Sequence, residues 1–214
     1  MVGGYGSTGD GSRVKRIIDF VAALVALLLL SPVLILTALL VRVRLGHPVL
    51  FRQTRVGRNE ILFQIVKFRT MTDQHDDAGE LLPDVDRLDG FGRFLRRTSL
   101  DELPGLFNVV RGEMSIVGPR PLPEFYLERY SATERRRHEV RPGHTGWAQV
   151  NGRNGLDWND RLAADVWYVD NHSLRLDLRI VLRTVRVILG GKGVGPSGAS
   201  TMYVLPHHQD RISS

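Results

Sequence analysis

The 214-residue chain contains no cysteine. This absence excludes disulfide bonds, thiolate metal sites and a cysteine nucleophile. Its seven histidines are scattered, and we expect none of them to be a metal ligand. Acidic residues are outnumbered, 23 against 29 lysines and arginines, which gives a formal net charge of +6. The positive excess favours anionic partners such as phosphorylated substrates, lipid head groups or nucleic acid.

Long hydrophobic runs are also scarce, and a single one occupies residues 17–41. As a helix, these residues would extend about 37 Å, which is enough to cross a bilayer. Ser31 and Pro32 interrupt the run near its middle. Proline removes a backbone donor and kinks a helix, whereas a serine hydroxyl can satisfy the freed carbonyl. We therefore expect a helix that is broken at this dipeptide.

Basic residues flank the run on both sides. They are Arg13, Lys15 and Arg16 before it, and Arg42, Arg44, Arg52, Arg55 and Arg58 after it. Positively charged flanks prefer the cytoplasmic side of a membrane, and here both flanks qualify. A re-entrant hairpin that enters and leaves by the same leaflet is therefore favoured over a single crossing. Asp19, near the basic end, is interpreted as an anchor or cap.

The chain divides into four predicted segments. They are a disordered Gly/Ser-rich N-terminus at 1–12, a re-entrant helix at 13–44, a catalytic domain at 45–190 and a flexible tail at 191–214. Within the third segment the pattern predicts a strand pair at 49–68, a surface loop with short helix at 72–89, helices at 100–110 and 124–140, and a loop at 141–154.

The stretch 173–189 predicts a basic amphipathic helix. Four arginines recur at steps of four, four and three residues: Arg175, Arg179, Arg183 and Arg186. The stripe fits either a solvated face or a helix lying on an anionic membrane surface. The first residues of the stretch also alternate, so a short strand is the other interpretation.

An acidic pair, Asp101 and Glu102, stands in the most informative string, TSLDELP. Four arginines surround it in sequence: Arg96, Arg97, Arg111 and Arg120. Guanidinium groups bind phosphate oxygens, and carboxylates offer a nucleophile and a divalent-metal ligand. The pattern favours phosphate chemistry. The string Ser99-x-x-Glu102 also fits a capping box, the signature of an ordinary helix start, and both interpretations can hold together.

Five strings in order resemble the bacterial sugar transferases, the monotopic polyprenyl-phosphate phosphoglycosyl transferases of the small, single-domain type. They are KRIIDFVAALVALLLLSPV, VKFRTM, RRTSLDELPGLFNVVRGEMSIVGPRP, RPGHTGWAQVNGRN and DVWYVDNHSLRLDLRI. The resemblance covers residues 14–194. It implies an α/β, mainly helical fold with a small catalytic core, membrane-surface amphipathic helices and an N-terminal re-entrant helix-break-helix.

The resemblance also implies an activity. Members transfer a sugar 1-phosphate from a UDP-sugar to polyprenyl (undecaprenyl) phosphate, and the products are a polyprenyl-diphosphate sugar and UMP. This step initiates surface glycan assembly, such as exopolysaccharide synthesis. The implied location is the bacterial inner membrane, with the catalytic domain on its cytoplasmic face. The sugar, the glycan pathway and the oligomeric state stay open, and a homodimer through the amphipathic helices is allowed.

Residue roles follow from the same resemblance. Asp101 matches the nucleophile, which forms an acyl-phosphate sugar intermediate, and Glu102 matches the ligand of a magnesium cofactor. Lys67 and Arg96 match further catalytic residues. The implied substrate-binding residues are Arg69, Arg97, Arg111, Arg120, Arg153 and Asp177, with Asp165 as the alternative to Asp177.

Two other function classes remain at this point. A metal-dependent glycosyltransferase would use Asp84 and Asp86 as its metal-binding pair, and it would release UDP in place of UMP. A non-enzymatic, membrane-bound basic scaffold is the third hypothesis. The sequence contains no recognisable nucleic-acid motif, so we expect no nucleic-acid partner.

Overall fold

A computed structural model describes residues 9–152, 157–189 and 205. The helices are α1 (Gly9–Leu29), α2 (Ser31–Arg44), α3 (Asp84–Arg87), α4 (Gly90–Thr98), α5 (Leu106–Arg111), α6 (Ala132–Arg135), α7 (Trp147–Asn151), α8 (Trp158–Asn171) and α9 (Leu174–Leu189). The strands are β1 (Leu50–Val56), β2 (Leu62–Phe68), β3 (Ser115–Val117) and β4 (Gly143–Thr145). The predicted α/β, mainly helical class is therefore confirmed. Residues 1–8 of the predicted disordered N-terminus lie outside the described residues, and residues 9–12 belong to α1 instead. Of the predicted C-terminal tail, only Leu205 is described.

Helices α1 and α2 meet at an angle of 63° across Leu30. Pro32 cannot donate to the carbonyl of Leu28, and the Ser31 hydroxyl donates to that oxygen instead, at 2.8 Å. The predicted break at Ser31-Pro32 is therefore confirmed. Among the described residues, no helix by itself has the length and apolar composition of a membrane span; the bent pair taken together has both.

The N-terminal half of α1 is attached to the rest of the protein by polar contacts. Asp19 is buried, and its carboxylate accepts hydrogen bonds from the Ser115 hydroxyl at 2.7 Å and from the Ile116 amide at 3.3 Å. Arg16 donates to the carbonyls of Val109 and Val110 at the end of α5. These bonds join α1 to β3 and α5, as the interpretation of Asp19 as an anchor requires.

Strands β1 and β2 form the predicted antiparallel hairpin, with Leu50 opposite Phe68 and Val56 opposite Leu62. The other edge of β2 is occupied by Asn108 of α5, which is fully buried. Its amide oxygen accepts from the Val66 amide at 3.1 Å, and its nitrogen donates to the Gln64 carbonyl at 2.7 Å. A side chain thus supplies the two hydrogen bonds that a third strand would make.

Strands β3 and β4 form a parallel pair, with Ser115 opposite Gly143. The predicted loop at 141–154 is wrong here, because it contains β4 and α7. Three-residue strands show no period in the sequence, and this pairing joins residues that are far apart in the chain. A Cβ at Gly143 would lie 2.0 Å from the amide nitrogen of Gly118, so the close approach of the two backbones requires glycine.

Two further helix predictions are tested. The predicted helix at 124–140 is instead three short pieces, the 3-10 helices Glu124–Arg129 and Arg136–His138 with α6 between them. Ser131 starts a new helix there through a capping box with Glu134. The basic stretch near the C-terminus is helix α9, which excludes the short-strand interpretation. It buries Leu176 and Ile180 and exposes Leu178.

Candidate active site

The acidic pair lies on a 3-10 helix, Leu100–Gly105, that begins where α4 ends. Ser99 adopts a left-handed conformation with φ of 58°, which turns the chain between the two helices. The capping-box prediction is wrong: Ser99 makes no side-chain cap, and the Glu102 carboxylate bonds elsewhere. Successive residues of a 3-10 helix point about 120° apart. Asp101 and Glu102, though adjacent, therefore face different surroundings.

Glu102 is held by two cations from distant parts of the chain. Its Oε1 lies 2.6 Å from the ammonium of Lys67 on β2 and 2.8 Å from the guanidinium of Arg120, which follows β3. Although burial opposes ionisation, Arg120 and Lys67 hold the pKa of Glu102 well below its ordinary range. Glu102 is therefore a fixed negative charge at neutral pH.

Asp101 is buried to 8% exposure, yet its side-chain carboxylate makes no hydrogen bond or ion pair within the described part of the chain. Burial, assisted by the charge of Glu102, raises the pKa of Asp101 from 3.8 to about 6, and Lys67, Arg96 and Arg120 partly oppose this rise. At neutral pH most of the population is ionised. An unpaired, ionised and desolvated carboxylate among cations is suited to act as a nucleophile.

Arg96 completes the group of predicted catalytic residues. It lies in the last turn of α4, where its Nε donates to the Thr70 hydroxyl at 3.0 Å. Its positive charge favours the ionised form of Asp101. The structure brings Lys67, Arg96 and Arg120 close to the acidic pair, although they come from three separate elements.

The sequence was compared with known protein families and with curated proteins. The bacterial sugar transferase family matches residues 11–191, which is most of the chain. The chain belongs to this family. The uncharacterized sugar transferase EpsL of Bacillus subtilis is 49% identical over 181 residues, covering 85% of this chain and 90% of the relative. The predicted enzyme class, a sugar-phosphate transferase, is confirmed.

Two further relatives have informative names. The UDP-glucose:undecaprenyl-phosphate glucose-1-phosphate transferase of Caulobacter vibrioides is 45% identical over 185 residues, covering 82% of this chain and 69% of the relative. The exopolysaccharide production protein ExoY of Rhizobium meliloti is 40% identical over 200 residues, covering 86% of this chain and 88% of the relative.

Three predicted phosphate-binding arginines of this sugar transferase make no ion pair with Asp101 or Glu102 in the described part of the chain. Arg69 donates to Asp73 and to the carbonyl of His47. Arg97 and Arg111 are exposed. Arg97 follows Arg96 on α4 and is therefore rotated by about 100° around the helix axis. The fourth, Arg153, lies outside the described residues.

The two alternative site acids, Asp165 and Asp177, are connected to the segment that carries Arg120. Asp165 accepts hydrogen bonds from Arg137, whose Nη2 also donates to the carbonyl of Arg120 at 2.7 Å. Asp177 binds Lys15 at 2.6 Å and the hydroxyl of Tyr168 at 2.7 Å. That hydroxyl lies 3.1 Å from the carbonyl of Val117. The two acids therefore brace opposite ends of the segment that carries Arg120.

His144 on β4 is a neighbour of the site that sequence reasoning missed. Its ring packs on the 3-10 helix, since a Cβ on Gly105 would come within 2.8 Å of it. Burial lowers the pKa of His144, although Glu102 opposes the change, so the ring is neutral at pH 7. No feature of its sequence neighbourhood could have indicated this position, because the contact depends on the β3–β4 pairing.

Proposed function

We propose that this sugar transferase moves a sugar 1-phosphate from a UDP-sugar to polyprenyl phosphate, giving a polyprenyl-diphosphate sugar and UMP. The observation that carries the proposal is the unpaired carboxylate of Asp101 beside a Glu102 that two cations hold. The name of the Caulobacter vibrioides relative, which specifies UDP-glucose and undecaprenyl phosphate, supports both substrates. The name of the Rhizobium meliloti relative, which specifies exopolysaccharide production, supports a role in surface glycan assembly.

In the first step, an oxygen of Asp101 attacks the β-phosphorus of the UDP-sugar. A bond forms between that oxygen and phosphorus, the bond from phosphorus to the bridging oxygen breaks, and UMP leaves with the electron pair. A carboxylate and a diphosphate repel each other, so the reaction needs cations around the phosphate oxygens. Lys67, Arg96 and Arg120 lie where they can provide that neutralisation.

In the second step, a phosphate oxygen of the polyprenyl phosphate attacks the same phosphorus. The new phosphorus–oxygen bond completes the diphosphate, and the bond to Asp101 breaks, which restores the carboxylate. An acyl phosphate is an activated donor, so two easier displacements replace a single difficult one. Because a carboxylate leaves without a proton, neither step requires protonation of Asp101.

A magnesium ion fits the chemistry of the donor set. Among the residues that the structure describes, no three His, Asp or Glu side chains form a protein-only metal site. Magnesium commonly binds through one or two carboxylates together with substrate phosphates. Lys67 and Arg120 both contact Oε1 of Glu102. We assign Glu102 as the protein ligand of a metal ion that would bind together with the diphosphate. The ion would supply further neutralisation of phosphate charge.

We assign α1 and α2 as a re-entrant membrane element, with the catalytic part on the cytoplasmic side. Support comes from the 63° bend and from strongly exposed apolar side chains on both helices, including Ile17, Leu28, Leu29, Ile35 and Val43. Basic residues at both ends favour entry and exit on one side. The exposed arginines and leucines of α9 are suited to lie on the same anionic surface.

The glycosyltransferase alternative has weaker support. Asp84 and Asp86 are both exposed on the four-residue helix α3, and Asp84 lies 3.7 Å from Arg87. Membership of a transferase family argues against the non-enzymatic scaffold.

Product analysis tests the proposal. Detergent-solubilised protein is incubated with magnesium, polyprenyl phosphate and a panel of UDP-sugars, alongside Asp101→Asn and the exposed control Asp170→Asn. We expect UMP from the correct donor, a loss of at least about 10³-fold in the Asp101 variant, and an unchanged rate in the control. Without lipid, the wild type should gain the mass of a sugar phosphate. Release of UDP, or full activity of Asp101→Asn, would contradict the proposal.

A further inference from the structure

Arg55 on β1 is a half-buried cation without an anionic partner. Its guanidinium donates to the side-chain oxygen of Gln53 and, at 3.4 Å, to the carbonyl of Pro121, both of which are neutral. Its Nε is buried and has no partner. Within the described ranges, no carboxylate lies within 4.0 Å of Arg55. The two arginines that are fully buried among the described residues do have one: Arg137 binds Asp165, and Arg69 binds Asp73.

This arrangement is unfavourable in the free protein. Burial and the positive charge of Arg120 together lower the pKa of Arg55 from 12.5 to about 10, and Tyr126 and Glu102 oppose this change only in part. A buried charge without a counter-ion destabilises a fold, because neither water nor a partner solvates it fully. An anion placed between Arg55 and Arg120 would relieve both the desolvation and the repulsion. The local chemistry therefore fits a phosphate group.

The position of Arg55 indicates which phosphate. Along the hairpin, Phe51 pairs with Lys67, and Arg55 pairs with Phe63. The positions of Lys67 and Arg55 are therefore separated by about four residues, or about 13 Å, along the strand direction. Helix α2 leads into the Lys67 end of the hairpin. The cations therefore extend from Lys67 through Arg120 to Arg55, in the direction away from the membrane helices.

We propose that Arg55 and Arg120 together bind the nucleotide-side phosphate of the donor, the one that leaves in UMP. This inference rests on the proposed function, since it requires a diphosphate whose other phosphorus faces Asp101. As the bond to the bridging oxygen breaks, negative charge accumulates on UMP. A guanidinium at that place stabilises the leaving group in addition to binding the substrate.

The experiment compares Arg55→Gln, Arg55→Lys and Arg52→Gln. Arg52 is exposed on the same strand, so its variant removes an equal charge from the protein as a whole. UDP binding is titrated calorimetrically on detergent-solubilised protein, and KM is measured separately for the UDP-sugar and for polyprenyl phosphate. We expect Arg55→Gln to weaken UDP binding and raise the UDP-sugar KM by about 10- to 100-fold. Arg55→Lys should lose less, and Arg52→Gln should match the wild type.

Melting temperature separates binding from a structural role. Because Arg55→Gln removes a buried charge that lacks an anion, its melting temperature without ligand should equal or exceed that of the wild type. A lower melting temperature with unchanged UDP affinity would overturn the proposal. An increase confined to the KM of polyprenyl phosphate would also overturn it, by assigning Arg55 to the lipid phosphate.

If the proposed function itself is wrong, the experiment gives a result that differs from those above. In that case the wild type itself releases no UMP from any donor. If the wild type releases UMP and Arg55→Gln behaves like Arg52→Gln, the reaction stands and the assignment of Arg55 is wrong.

Discussion

Asp101 and Asp165 are both buried aspartates within the catalytic part of the chain, and they differ in what surrounds them. Asp165 receives two hydrogen bonds from Arg137, at 2.7 and 3.1 Å, and Arg137 is further bonded to Tyr130 and to the Arg120 carbonyl. Asp101 has no such bond within the described residues. In this comparison the fully paired carboxylate holds the scaffold, and the unpaired carboxylate is the one that we propose for chemistry.

The largest expected effect on stability comes from breaking the buried ion pair between Arg137 and Asp165. Asp165→Asn leaves the Arg137 guanidinium buried without its counter-ion, so we expect a loss of about 3–5 kcal/mol in the free energy of unfolding. Urea denaturation of the detergent-solubilised protein measures it. Asp170→Asn is the matched control, since Asp170 lies on the same helix and pairs at the surface with Arg136. Equal stability of the two variants would show that the Arg137–Asp165 pair does not support the fold.

The same substitution at Asp101, Asp101→Asn, should instead raise the free energy of unfolding. Because the pKa of Asp101 is about 6 in the folded protein and 3.8 in the unfolded chain, the folded state binds more protons between these values. Wild-type stability therefore falls as pH rises from 4 to 6 and stays low above. Asp101→Asn should be more stable than the wild type by about 3 kcal/mol at pH 8.

That stabilisation should shrink to about 0.5 kcal/mol at pH 4, where Asp101 is protonated in the folded protein and about 40% protonated in the unfolded chain. Denaturation curves at pH 4 and pH 8, recorded in the presence of a metal chelator, test this dependence. A pH-independent difference between Asp101→Asn and the wild type would refute the assignment of a raised pKa to Asp101.

The smallest expected effect concerns the contact between α1 and α9. Lys15 and Asp177 are partly exposed at their ion pair, with side-chain exposures of 19% and 11%. A double-mutant cycle with Lys15→Met and Asp177→Asn should give a coupling energy of about 1–2 kcal/mol. A coupling near zero would mean that Tyr168, the other partner of Asp177, is sufficient to hold it.

The parts of the fold that the sequence predicts depend on local patterns. The β1–β2 hairpin alternates around a glycine turn, the break at Ser31-Pro32 follows from proline chemistry, and α9 repeats its arginines at helical spacing. The β3–β4 pair could not be predicted, because three-residue strands carry no period and their partners are distant in the chain. The capping box at Ser99 failed because the tertiary contacts of Glu102 outweigh a local hydrogen bond.

The sequence predicts those site residues that belong to recognisable motifs. The strings around Lys67, Arg96, Asp101 and Arg120 identified groups that the structure brings together. The sequence identifies Arg55 only as part of a basic flank of the hydrophobic run, because the role proposed for it depends on which face of β1 it occupies. The sequence leaves Asp165 and Asp177 as alternatives, and the structure shows that each braces the Arg120 segment from a different end.

Asn108 has a consequence for how this protein behaves in a crowded cell. A two-stranded hairpin exposes backbone donors and acceptors along its outer edges, and such edges recruit strands from other copies during aggregation. By bonding the Val66 amide and the Gln64 carbonyl, the Asn108 side chain closes one edge of β2 to intermolecular pairing. One amide therefore protects the strand that carries Lys67 from self-association once α5 has packed against it.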